Sequence, residues 1–336
     1  MAEIVYGFGS SHGPLLSTPP EKWDLRAQAD KENPAHPYRE GTYTWPELRD
    51  LRKDEKLDDQ IKLDVREGRH VRNQKHMDAL AEKFAEVNPD ILVVVGDDQH
   101  EWFQSDVQPS FTVFHGSEVI NTAYDAEKAS KMQPGLAISM KANHPPEDHH
   151  YPVPTSLASH IIHQAIQDEF DVTSSAAQPS KGNGLIGVGH AVGFIYRRIL
   201  RDKPVPLVPI LLNTFFPPNQ PTPKRCFEFG QSIGRAIRSW GENKRVAVCA
   251  SGGVSHFVID EDFDNRMLKA MKERDVATLI KEPNYMFRSG TSETKNWITV
   301  CGILSETSLE MNLLDYVPCY RSEAGTGNAM AFATWQ

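Results

Sequence analysis

Cysteine is scarce in this chain and long apolar runs are missing from it. The four cysteines among 336 residues, Cys226, Cys249, Cys301 and Cys319, show no CxxC spacing. The sequence therefore offers neither a zinc knuckle nor a disulfide framework, and it reads as a cytoplasmic protein with reduced thiols. Its longest apolar runs, Ile91 to Val95 and Val205 to Leu212, fall far short of the ~20 residues that cross a membrane. A basic excess is lacking too: 36 Lys and Arg stand against 45 Asp and Glu, a net charge of −9. With no basic block to neutralise a run of phosphates, nucleic acid is not an expected partner. The N-terminus carries Glu3 and soon breaks into Gly and Ser, unlike a signal peptide. What is present, 39% hydrophobic and 24% charged residues, is the composition of a folded, water-soluble chain, long enough for two domains or one large one.

Histidine is the informative residue. There are thirteen, and four follow short apolar runs. Ile4 to Phe8 reads as a strand that stops at Gly9-Ser10-Ser11-His12-Gly13-Pro14, because Gly and Pro cannot continue a ladder. Met77, Leu80, Phe84 and Val87 share a helical face. Ile91 to Val95 then reads as a buried parallel strand running into Gly96-Asp97-Asp98-Gln99-His100. A helix over 155–170, capped by Thr155 or Ser156, precedes a strand at Leu185 to Gly189 that delivers His190. The run Arg245 to Ala250 is followed by Ser251-Gly252-Gly253-Val254-Ser255-His256.

Alternating strands and helices predict an α/β fold, a central mostly parallel or mixed sheet flanked by helices. In such folds ligands collect beyond the carboxyl ends of the strands, which is where all four histidines fall. Imidazoles alone suit zinc, copper or iron, and two of them with one carboxylate suit non-haem Fe(II). Spacing leaves Glu261, Glu273, Glu282, Glu293, Glu306 and Glu310 all open as that carboxylate.

An ordered series of motifs goes further. Ser10-Ser11-His12, the strand leading to Asp98-Gln99-His100, the stretch His160 to Thr173, Asn213-Thr214-Phe215-Phe216-Pro217-Pro218, Lys224-Arg225-Cys226-Phe227, Gly252-Gly253-Val254-Ser255-His256 and Ser289-Gly290-Thr291-Ser292-Glu293 resemble the class III extradiol ring-cleavage dioxygenases. The resemblance covers residues 1–18 and 77–336. It implies one Fe(II) site held by His12, His100 and Glu293, with His256 as active-site base and His190 as a second active-site histidine. It also implies an aromatic vicinal diol and O2 as substrates, and ring opening beside the two hydroxyls with insertion of both oxygen atoms.

The chain departs from the family's pattern in three places. The approach to His100 is one residue longer than the usual Asn-Asp-His element. Ala324-Gly325-Thr326-Gly327-Asn328 stands where a Ser-Asn pair is expected to hold a substrate carboxylate. Residues 19–76, rich in charge and carrying Trp23, Tyr38, Tyr43 and Trp45, have no counterpart in the typical subunit. The expected organisation is one catalytic domain over 1–336, with 19–76 an insertion that folds over the site as an active-site lid, assembled as a homodimer. His149 and His150 precede the His160 helix and are expected in a loop; His36, His70, His76, His115, His144, His160 and His163 are assigned no chemistry. Two other classes compete: a zinc-dependent hydrolase on the same His2Glu set, and a non-catalytic protein on the same fold.

Overall fold

The computed structural model describes residues 1–181 and 184–336. Nine strands form one mixed sheet: β1 (Glu3–Ser10), β2 (Ile91–Asp97), β3 (Phe111–Phe114), β4 (Thr173–Ser175), β5 (Leu207–Leu212), β6 (Arg245–Ser251), β7 (His256–Val258), β8 (Met311–Tyr320) and β9 (Thr326–Trp335). Their spatial order is β7-β9-β1-β6-β2-β5-β3-β4, with β8 on the far edge of β9. The middle strands β1, β6, β2 and β5 are mutually parallel. Strand β2 is buried at every position, which is why its sequence is a continuous rather than an alternating apolar run.

Alternate side chains of β2 serve two cores. Val93 and Val95 face a core built with α3 (Thr155–Gln167), α5 (Pro223–Ser239), α6 (Glu261–Glu273) and α7 (Thr294–Leu304). Leu92 and Val94 face the other, built with α2 (Leu63–Val87) and α4 (His190–Phe194). Helix α5 starts where Thr222 accepts a hydrogen bond from the Arg225 N–H and Pro223 takes the first turn, a position where the missing proline donor costs nothing. No helix among the described residues is long and apolar enough to cross a membrane.

Three local expectations are corrected. The segment Leu185 to Gly189 is not a sheet strand: only Gly184–Leu185 pairs, with Ser180–Lys181, and His190 opens α4 instead. Gly187 and Gly189 explain this, since a side chain at either would collide with Thr122 or Glu101, so the chain there threads between neighbours. Pro154, not Thr155 or Ser156, precedes the first turn of α3, and no side chain caps it. His149 and His150 lie on a short strand, His149–Pro152, rather than in a loop.

Residues 19–76 end inside α2, which runs unbroken across residue 76 with Arg66, Arg69 and Asn73 buried on the same helix as Met77. Ahead of it come α1 (Asp24–Glu32), a hairpin of His36–Tyr38 with Gly41–Tyr43, and a helix at Trp45–Leu51. Trp23 is a core residue and donates its indole N–H to the Thr18 carbonyl. Trp45 packs on Val258 and Ala324 and donates to Ser322 Oγ.

Asp264, on α6, ties the approach to His256. It accepts from the Ser255 N–H at 2.7 Å, the Ser255 hydroxyl at 2.5 Å and the Tyr316 hydroxyl at 2.7 Å. Burial outweighs these bonds and pushes its carboxyl up to about 7. A carboxyl that binds its proton more tightly folded than unfolded stabilises the fold fully at low pH, and that contribution is lost as pH rises through the folded value. Stability is therefore expected to fall between about pH 4 and 7 with a slope of up to about 1.4 kcal/mol per pH unit. Urea unfolding across that window should show the slope, and Asp264→Asn should flatten it.

Candidate metal centre

The sheet order accounts for the site. With β1, β6 and β2 side by side and in parallel, Ser10 is paired with Ser251 and Val95 with Ala250, so the three strands end together. His12 lies two residues beyond β1, and Asp97 is the last residue of β2. Glu293 immediately precedes α7, the helix whose Asn296 donates to both Asp97 Oδ1 and the Ser251 carbonyl. His190 comes in on α4 from the opposite face. The ligand atoms of His12, Asp97, His190 and Glu293 all lie within 4.8 Å of one another.

The orientation of His12 follows from its partners. Ser251 Oγ gives its hydrogen to the Ala191 carbonyl at 2.7 Å, so His12 Nδ1, 2.9 Å from that oxygen, is the donor between them. His12 Nε2 then lies 3.1 Å from Glu293 Oε2 and 4.0 Å from Asp97 Oδ1. Two carboxylates turned on one point beside an imidazole repel one another, and a bound cation would convert that repulsion into ligation. A set of nitrogen and oxygen donors with histidine and carboxylate members suits iron, among other divalent metals.

Charge is distributed unevenly around this point. Burial and the neighbouring Glu293 raise the Asp97 carboxyl. Burial also opposes charge on Glu293, yet His256 and His12 hold its carboxyl well below the ordinary range. Burial would lower His190, but Glu101, Asp97 and Glu293 together push it up to about 10. Its Nδ1 lies 2.8 Å from Glu101 Oε1, and its backbone N–H donates to the same oxygen at 2.7 Å. Glu101 is in turn drawn down to about 2 by His190 against its own desolvation. The result is a proton-bearing imidazole whose Nε2 stands 3.1 Å from His12 Nε2.

His256 sits on the other side of Glu293. Strand β9 runs along β1 through Phe332–Trp335 and along β7 through Thr326–Asn328, placing β1 and β7 end to end on one edge and so bringing His12 and His256 to the same place. His256 Nδ1 lies 2.8 Å from the Val254 carbonyl and Nε2 3.0 Å from Glu293 Oε1. Both partners only accept, so both nitrogens carry hydrogen. Desolvation opposes that charge, but Glu293 prevails and the pKa is raised. Gly290 is required here: a side chain would meet the His256 ring at 2.0 Å.

Of the residues singled out in the sequence, His12, His190, His256 and Glu293 are brought together, and His100 is not. Its backbone is left-handed, with φ of 60°, and its ring lies flat on Phe216 with centroids 3.5 Å apart. Asp97, Gln99 and Glu101 escaped the sequence reading. Asp98 makes the turn that places Glu101, accepting from the Trp102 and Phe103 N–H groups at 2.7 and 3.2 Å. The available signal was the strand end itself, since Asp97 closes a buried run where a carboxylate has no packing role. His149 and His150 bond to Tyr151 and Glu118, outside the cluster.

Two comparisons bear on this arrangement. A family model described as the catalytic LigB subunit of aromatic ring-opening dioxygenase matches residues 63–327. Gallate dioxygenase of Pseudomonas putida is 33% identical over 109 residues, covering 32% of this chain and 29% of the relative. The chain thus spans less than a third of the length of that curated relative.

Proposed function

Because the chain belongs to the family of catalytic LigB subunits of aromatic ring-opening dioxygenases, we propose that it is an extradiol dioxygenase that uses Fe(II) to open the ring of an aromatic vicinal diol with both atoms of O2. The convergence of His12, Asp97, His190 and Glu293, with His256 bonded to the far oxygen of Glu293, carries this reading. We assign the metal to His12 Nε2, Glu293 Oε2 and Asp97. His100, which the sequence resemblance puts in this role, is turned away onto Phe216. Fe(II) held there would supply Lewis acidity toward the diol and the one-electron chemistry that lets dioxygen react with a closed-shell ring.

The chain's own groups handle the protons. Both ring nitrogens of His256 face acceptors, and Glu293 beside it raises its pKa against desolvation. A cation held by Glu293 would offset that carboxylate charge, so that His256 would release its Nε2 proton to solvent and, as a neutral imidazole, would take up a diol hydroxyl proton at Nε2. His190 is held protonated by Glu101 and acts as the donor that returns a proton from Nε2 late in the reaction. Replacing either by Gln or Ala is expected to leave the metal bound and lower the turnover by about 10²–10⁴-fold; normal turnover in either variant would remove that residue from the mechanism.

A catechol, a gallate-type triol, an aminophenol or a hydroxypyridine presents a suitable donor pair, and the similarity to gallate dioxygenase makes the triol the first to try. The test is anaerobic loading with Fe(II), binding of each candidate, and then oxygen uptake. One O2 consumed per ring opened supports the proposal. Turnover with zinc and no oxygen uptake would identify a hydrolase instead. We further propose that residues 19–76 act within the single catalytic domain as a fixed cover rather than a swinging lid, on the strength of the buried Trp23, Trp45 and Asp30.

A further inference from the structure

Gln99 is the residue that the longer approach to His100 carries to the site. Its Nε2 lies 3.2 Å from Asp97 Oδ2 and 3.1 Å from Glu293 Oε1. Both partners are carboxylate oxygens, so the amide must present its NH2 to them and has one hydrogen for each. The opposite oxygens are the ones turned toward His12: Glu293 Oε2, steadied by the Gly253 N–H at 2.7 Å, and Asp97 Oδ1, steadied by Asn296 at 3.0 Å. Each carboxylate is therefore held by its outer oxygen to the same amide while its inner oxygen faces His12 Nε2. The Gln99 backbone N–H also lies 3.4 Å from Glu101 Oε2, linking this loop to the carboxylate that orients His190.

We propose that Gln99 is a positioning residue of the metal centre, a neutral bridge that fixes the separation and rotation of Asp97 and Glu293 against their mutual repulsion. A histidine at this point would add a ligand. Glutamine instead adds two donors, which suits a site where two carboxylates, rather than one, must be kept side by side. The proposal rests on reading the cluster as a metal centre.

The experiment uses the full chain without oxygen, titrated with Co(II) and Fe(II) in competition with a chelator. Gln99→Met keeps the length of the side chain and removes its donors, and Gln104→Met alters a neighbouring loop glutamine, whose side chain donates to the His100 carbonyl and to none of the cluster residues among the described ones, as a control. The expected result is one metal ion per wild-type chain, a dissociation constant about 10–100-fold higher in Gln99→Met, as loss of an outer partner typically gives, a changed Co(II) absorption spectrum, and Gln104→Met like the wild type. Unfolding of the metal-free proteins should be the same for all three, showing that the loss is not one of folding. Equal affinity and spectra in Gln99→Met and wild type would overturn the bridge, and so would equal losses in the two variants. Failure of the wild type to bind metal would instead overturn the metal-centre reading.

Discussion

Glu293→Ala is expected to abolish metal retention, whereas His100→Ala retains it. Glu293 contributes the oxygen 3.1 Å from His12 Nε2, receives the Gly253 N–H, and holds both Gln99 and His256 on its second oxygen. Its loss removes a charged ligand and unpins the groups around it, so affinity should fall well beyond the ~10–100-fold typical of an outer partner. His12→Ala and Asp97→Ala should behave similarly, each removing a donor from the same point. His100 contributes no ligand atom to that point and stacks on Phe216 instead. Metal content after gel filtration, measured for the four variants side by side, divides the two ligand sets. Metal lost from His100→Ala but kept in Asp97→Ala would restore His100 to the centre and remove Asp97.

The difficulty with His100 is one of local backbone. The strand ends at Asp97 and the chain bends beyond it, so that the Gln99 amide reaches Asp97 and Glu293 while the left-handed backbone of His100 lays its ring on Phe216. A count of histidines after apolar runs cannot see this, because it registers proximity to a strand end and not the side chosen. The same count picks out His12, which does lie in the cluster, because the neighbouring parallel strands end together at Ser10 and Ser251. The central strands were legible for a related reason: burial on both faces leaves an unbroken apolar run in the sequence. Glu293 was not legible from spacing, since it stands 281 positions beyond His12 (293 less 12) and is delivered by the packing of α7 on the sheet. The resemblance supplied it. Nor was the arrival of His190 on a helix legible, as Leu185 to Gly189 has strand composition but two glycines that tight packing against Thr122 and Glu101 requires.

The buried ion pair that ties residues 19–76 to Arg321 gives the largest expected effect on stability. Asp30, on α1, accepts from Arg321 Nε at 2.6 Å and Nη2 at 2.8 Å, and from Thr326 Oγ1 at 2.5 Å. Arg321 is 1% exposed and Asp30 6%, so neither charge has water to fall back on. The third arm of the guanidinium, Nη1, donates to Asn328 Oδ1 at 2.9 Å, and Asn328 is the residue directly opposite His256 in the sheet. Nearby Arg26, lowered to about 10 by burial and then by Arg321, makes the region intolerant of further positive charge. Asp30→Ala leaves the Arg321 guanidinium buried without its anion and is expected to cost about 3–5 kcal/mol. Removing both charges should cost much less, because a buried pair replaced by apolar groups forfeits attraction and desolvation together. Urea unfolding of Asp30→Ala, Arg321→Met and the double variant forms the required cycle. A single-variant loss below about 1 kcal/mol, the usual worth of an exposed pair, would mean that water reaches this interface and that α1 opens there. A loss in the expected range, with the double variant largely recovered, would mean that α1 is locked to Arg321, just beyond β8, and through it to Asn328 on β9.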